Sequence, residues 1–218
     1  MNKILTIYFL NKKQNPVLIL LAMLSLTLIL LRVKITQEVY LLFLIWNLFL
    51  AYIPYFLSSE IKNIVPGTFT FYSVLLIWLL FLPNSFYLIT DFVHLHHVTK
   101  FQFLFDAVLF SCFTVAGFYS GILSLFDIHF LLQMKYSSQK SWILIGTVAY
   151  LSAFGIYLGR ILRFNSWDIL RHPFSLLSTS CKSIQNTETL LFTIVLGTFI
   201  LISYCLAHSF LNKKTLKS

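Results

Sequence analysis

The sequence predicts an all-α membrane protein, a bundle of about six transmembrane helices with no soluble domain. Three observations carry that expectation. Of the 218 residues, 58% are hydrophobic and only 11% are charged, with a mean hydropathy of +0.84. Soluble domains carry about 25% charged residues, so a water-facing globule of this composition would lack polar surface to cover itself. The apolar residues also fall in six separate runs, each near the roughly 20 residues that cross a bilayer. Within each run the hydrophobicity is continuous rather than alternating, which points to helices and away from a barrel.

The spans are expected near 16–31, 39–57, 67–90, 104–126, 142–160 and 189–210, within one integral membrane domain covering 1–218. The first follows Lys3, Lys12 and Lys13 and so resembles a signal peptide. Its apolar core ends in "LLRVKITQE" without a small-x-small cleavage site, which makes it an anchor. The second contains Asn47 and Pro54. The third begins near Gly67 and runs into "LPNSFYLITDFVHLHH", Leu82 to His97. The fourth and fifth carry Gly117-x-x-x-Gly121 and Gly155-x-x-x-Gly159, a spacing that lets helices approach closely. The longest connection is 160–189, and its "RHPFSLLSTSCKSIQNTE" portion is polar enough to lie at or above the interface.

With six spans, both termini share one side with Lys62, Lys135 and Lys140, alongside Lys3, Lys12, Lys13, Lys213, Lys214 and Lys217. The other side carries Arg32, Lys34, Lys100, Arg160, Arg163, Arg171 and Lys182. The positive-inside rule places both termini in the cytoplasm by a small margin. The net charge of +9 then reads as a topology signal with attraction to anionic lipid heads. Basic residues split across two faces do not make a nucleic-acid surface, and no such partner is expected. Cys112 and Cys205 fall inside spans and Cys181 in the long loop, so the cysteines form neither a disulfide framework nor a zinc site. The motifs of P-loop and dinucleotide folds, HExxH peptidases and GxSxG hydrolases are all missing from the sequence. No cofactor or metal is expected.

The candidate site comes from polar residues where they are costly. On an α-helix, Asn84, Tyr87, Asp91 and His94 fall at i, i+3, i+7 and i+10, an arc about 80° wide. The opposite face keeps Phe86, Ile89 and Phe92. Pro83 removes a backbone donor and favours a bend. In the block "GIYLGRILRFNSWDILRHP", Arg160 and Arg163 are i, i+3 neighbours followed by Asn165 and Asp168. Helix counting puts these residues and Asp106 on one membrane side. Arg160 and Arg163 can pair with Asp91 and Asp106, or hold an anion through the guanidinium fork. The plainer alternatives are a solvated loop from Asp91 to His97, interhelical glue at Asn84 and Tyr87, and snorkelling arginines at a span end.

Three blocks resemble a known family in the right order: "WNLFLAYIPY", "LPNSFYLITDFVHL" and "YLGRILRFNSWDIL". They are similar to the signature blocks of an uncharacterised bacterial membrane family, domain of unknown function 1361. Ser85 and Phe86 stand where that pattern has Ala-Pro, leaving Pro83 as the block's only proline. The resemblance implies a multi-span protein of the bacterial plasma membrane, and implies no activity.

Three functional classes follow. In the first, Asp91 and His94 are a catalytic acid/base pair. Asn84, Tyr87, Arg160, Arg163, Asn165 and Asp168 then bind an anionic or lipid-linked envelope molecule at the outer face. A metal version using Asp91, His94 and His96 or His97 with Asp106 needs a loop there, because His94, His96 and His97 cannot share one helix face. In the second, the protein is a small transporter, against which the placement of charge near one edge counts. In the third, the cluster is a clasp between helices of a non-catalytic membrane component, with membrane lipid as the partner. The clasp requires the polar groups to satisfy one another; the enzyme requires them to face a cavity.

Overall fold

The computed structural model describes residues 3–97, 100–164, 171 and 173–215. Seven α-helices occur among them: α1 (Lys3–Thr36), α2 (Phe43–Ile61), α3 (Phe69–Tyr87), α4 (Lys100–Lys135), α5 (Ser138–Arg160), α6 (Pro173–Ile184) and α7 (Thr187–Thr215). Two 3-10 segments, Tyr40–Leu42 and Leu88–His97, extend α2 and α3. No strand occurs among the described residues. Six stretches are long and apolar enough to cross a membrane: Gln14–Thr36, Tyr40–Ile61, Phe69–Leu95, Gln102–Lys135, Ser138–Arg160 and Thr187–Phe210. The expected number of spans and their order hold. The fourth is longer than its apolar run suggests, and the expected polar loop contains the short helix α6.

Local chemistry fixes several boundaries. Thr68 caps α3 by accepting a hydrogen bond from the amide of Phe71 at 3.2 Å. Asn186 does the same at the start of α7, where its Oδ1 accepts from the amide of Glu188 at 3.0 Å. At the far end of α5, Arg163 adopts φ +58°, and the Phe164 amide donates to the carbonyl of Leu158 at 3.0 Å. The helix therefore stops at Arg160, and the left-handed residue turns the chain away.

Helix α4 is the centre of the bundle and packs against α1, α2, α3, α5 and α7. In the most apolar 18-residue stretch of its span 61% of residues are buried, against 17–39% in the corresponding stretches of the other five. Small residues make this possible. A Cβ on Gly117 would lie 3.0 Å from the carbonyl oxygen of Ser85, and one on Gly121 would lie 2.8 Å from the Phe86 ring. Hydroxyls then hold the closely packed backbones. Ser85 and Ser120 both donate to the carbonyl of Ala51, at 2.6 and 2.9 Å. Ser124 donates to the carbonyl of Pro54 at 3.0 Å and accepts from the Trp78 indole at 2.6 Å. Two apolar clusters flank this axis. One joins α3, α4, α5 and α7 around Trp78, Phe86 and Tyr204; the other joins α1, α2 and α4 around Ile29, Leu44 and Phe113.

The second Gly-x-x-x-Gly pair packs α5 against α3. A Cβ on Gly155 would meet Cγ of Pro83 at 2.7 Å, and Gly159 lies against the Tyr87 ring. A proline ring cannot rotate out of the way. Gly155→Val should therefore cost about 1–3 kcal/mol, the range for overpacking a filled interior. The midpoint of denaturant-induced unfolding in detergent micelles checks this; an unchanged midpoint would mean a looser α3–α5 seam.

Candidate functional site

The polar residues of the third span gather at the end of the bundle away from the termini, where α3 stops being an α-helix. From Leu88 the backbone tightens into a 3-10 helix through His97. Two of its carbonyls also accept hydrogen bonds from side chains of neighbouring helices. Thr114 of α4 donates to the carbonyl of Leu88 at 3.0 Å, and Nη2 of Arg160 donates to that of Thr90. Three residues per turn stacks Leu88, Asp91 and His94 along one ridge. Leu88 and Asp91 are both fully buried.

Asp91 accepts a hydrogen bond at Oδ2 from Nδ2 of Asn47, in α2, at 3.0 Å. Its Oδ1 lies 3.1 Å from Nη1 of Arg160. That contact is off the N–H direction, an ion pair without a well-aligned hydrogen bond. Arg160, the last residue of α5, also donates from Nη1 to the Tyr87 hydroxyl at 3.1 Å. Its guanidinium carbon stands 5.2 Å from the centre of the Tyr87 ring. Four residues from α2, α3, the 3-10 segment and α5 thus form one network around a carboxylate with no exposure and an arginine side chain 17% exposed.

The other expected site residues separate from this network to different degrees. Asn84 donates to the carbonyl of Phe81 at 2.9 Å, a bond within its own helix. His94 meets the Tyr40 hydroxyl through Nδ1 at 2.8 Å and lies edge-on to the rings of Tyr40 and Phe43. Arg163 does not share a face with Arg160. The helix ends between them, and Arg163 is exposed in its left-handed turn. Asn165 and Asp168 lie outside the described residues. The face opposite the polar arc is apolar as expected: Phe86 packs on Phe118 and Phe92 on Phe110.

Asp106 pairs with neither Arg160 nor Arg163. It closes on Arg32, with Nε to Oδ1 and Nη2 to Oδ2 both at 3.4 Å. Arg32 is 3% exposed and Asp106 1%. Arg32 also donates to the carbonyl of Glu38 at 3.2 Å and pairs with its carboxylate at 2.9 Å. Arg32 read in the sequence as a topology charge, because a basic residue after an apolar run looks like a flank. Asn47 was visible as the lone amide in the second span, but nothing local names Asp91 as its partner.

A further polar group sits at the opposite end of α4. Asp127 accepts from the Ser58 hydroxyl at 3.1 Å, and His129 meets the Tyr204 hydroxyl at 2.5 Å and the Gln133 amide at 3.1 Å. Asp127 and His129 are buried at 3% and 2% exposure. Among the described residues, the interhelical ion pairs Asp91–Arg160 and Arg32–Asp106 are therefore at one end, and the Ser58 and Tyr204 hydroxyls meet Asp127 and His129 at the other.

A family model described as "Protein of unknown function (DUF1361)" matches residues 46–203. That stretch contains Asn47, Tyr87, Asp91 and Arg160, the whole network. No curated protein and no solved structure matches the chain.

Proposed function

The chain belongs to the DUF1361 family, and we propose that it serves as a multi-pass component of the bacterial plasma membrane in which the Asn47–Tyr87–Asp91–Arg160 cluster is an interhelical clasp. The clasp fixes α2, α3 and α5 against one another where α3 loosens into its 3-10 extension. The observation that carries this reading is that Arg160 is already engaged within the cluster. Arg160 spends its guanidinium on Asp91, the Tyr87 hydroxyl and ring, and the Thr90 carbonyl. A clamp for an incoming anion needs those donors free.

Exchanges that keep charge or shape test it. Arg160→Lys keeps the charge but loses the fork, and Asp91→Asn keeps the shape but loses the charge. Under the clasp reading both lower the amount of folded protein in the membrane. Normal accumulation of both, with loss of an envelope phenotype in the cell, would point to a ligand site instead.

One observation favours a second reading at the same face. Arg163 and Arg171 are exposed on either side of the 165–170 segment. Fixed positive charge at headgroup depth suits an anionic or lipid-linked envelope molecule. In that reading Arg163 makes the anion contact, and the clasp, with Arg160 in it, only positions the turn that carries it.

The charge distribution supports cytoplasmic termini more strongly once the ion pairs are known. Arg32 and Arg160 are committed to buried carboxylates, so removing them from the comparison widens the lysine excess on the terminal side. Cys181 of α6 is exposed, while Cys112 and Cys205 are partly buried in spans. With those two replaced by serine, a membrane-impermeant maleimide should label Cys181 in intact cells. Labelling only after the membrane is opened would invert the orientation.

A further inference from the structure

A groove of 700 Å³ runs between α1 and α2 at the end of the bundle that carries the termini. Its origin is legible in the side chains. Helix α1 packs mainly on α4 and barely touches α2. Two tyrosines of α2 hold it off at arm's length. The Tyr52 hydroxyl donates to the carbonyl of Leu18 at 3.0 Å, and that of Tyr55 donates to Oδ1 of Asn15 at 2.5 Å. Long side chains bonded tip-first act as spacers, and the gap between the helices stays open toward lipid.

The groove has two unlike parts. Its slot is apolar and lipid-facing: Ile19 is 59% exposed, Met23 61% and Phe56 58%. Its mouth is polar, with Ser59, Glu60, Lys62 and Asn63 at the end of α2. Along α1 the lining extends from Asn15 to Leu26. At 1.5 Å per residue that is about 16 Å, close to half of the roughly 30 Å hydrocarbon core. A slot one leaflet deep beneath a charged rim matches a lipid acyl chain beneath its headgroup.

The rim carries both signs. Glu60 accepts from the Asn63 amide at 3.0 Å and stands beside the last carbonyls of α2, the negative end of that helix. Lys62 follows at the helix cap. A purely anionic headgroup would face Glu60 and the helix end unfavourably. A headgroup with a phosphate for Lys62 and a primary ammonium for Glu60 satisfies both. We propose that this groove binds an aminophospholipid of the leaflet on the terminal side, its acyl chain in the α1–α2 slot and its headgroup between Glu60 and Lys62. The site lies at the other end of the bundle from the clasp and does not depend on it.

The test uses the full chain in nanodiscs with a phosphatidylethanolamine probe carrying a diazirine in its acyl chain. A phosphatidylglycerol probe with the same chain is the comparison. Irradiation and peptide mapping should place the phosphatidylethanolamine label on the Leu18–Leu26 and Tyr52–Phe56 segments. The phosphatidylglycerol probe should label them about tenfold less, the effect of losing one charge-assisted contact. Glu60→Gln with Lys62→Gln should bring the two probes level. Met23→Trp fills the slot from a lipid-exposed position and should abolish labelling by either probe while the protein elutes unchanged. Equal labelling of the wild-type groove by both probes would overturn the proposal. So would groove labelling that survives Met23→Trp, or crosslinks there to a second copy of the chain instead of to lipid.

Discussion

Arg160→Met should cost the folded protein about 3–5 kcal/mol, the penalty for leaving one member of a buried ion pair without its partner. Methionine fills much the same volume, so lost charge and lost hydrogen bonds dominate the change. Asp91 keeps the Asn47 amide, but its Oδ1 loses the Arg160 guanidinium, its one cationic partner among the described residues, and its side chain has no exposure to water. The Tyr87 hydroxyl and the Thr90 carbonyl lose their donor as well. The 3-10 segment then has one fewer reason to stop short of α-helical pairing. Unfolding in mixed micelles, followed by tryptophan fluorescence, measures the loss. Arg160→Lys should fall between the two, since one ammonium cannot reach Tyr87, Thr90 and Asp91 together.

Arg32→Met should be comparably severe, because Asp106 is 1% exposed and would be left buried without a cation. Here the two acidic partners of one arginine make a control within the same site. Glu38 is 58% exposed in its side chain, so Glu38→Gln should change stability by about 1 kcal/mol or less. Asp106→Asn should approach the cost of Arg32→Met. If Glu38→Gln proved the more damaging, the end of α1 would be held by its surface contact rather than by α4.

The spans were legible because lipid makes one demand that composition answers: long, uncharged, apolar runs. The end of α4 was not, for the same reason. Its last turns contain Asp127, His129 and Gln133, which look like the exit from a membrane. They are paid for inside the bundle by Ser58 and Tyr204, residues 69 and 75 positions away in sequence. The two Gly-x-x-x-Gly pairs did mark real seams, because closeness of backbones is a local property of small side chains. The polar cluster was half legible. Asp91 and Arg160 stood out as costly charges near the ends of apolar runs, and their pairing was one expected outcome. Asn47 and Arg32 were ordinary to the eye until the helices that carry their partners were in place. The 80° arc assumed an α-helix throughout, whereas the chain tightens after Tyr87, which directs His94 to Tyr40. Arg163 was expected beside Arg160 from spacing alone. Periodicity cannot see that the helix ends between them.

The central claim is that Asp91 and Arg160 stabilise each other. A double-mutant cycle of Asp91→Asn and Arg160→Gln tests it most directly, with unfolding free energy as the readout. The account predicts that the double variant is more stable than the two single losses together imply, with a coupling of about 2–3 kcal/mol, the upper range for directly contacting residues. Single variants that unfold like the wild type, or losses that simply add, would contradict the clasp.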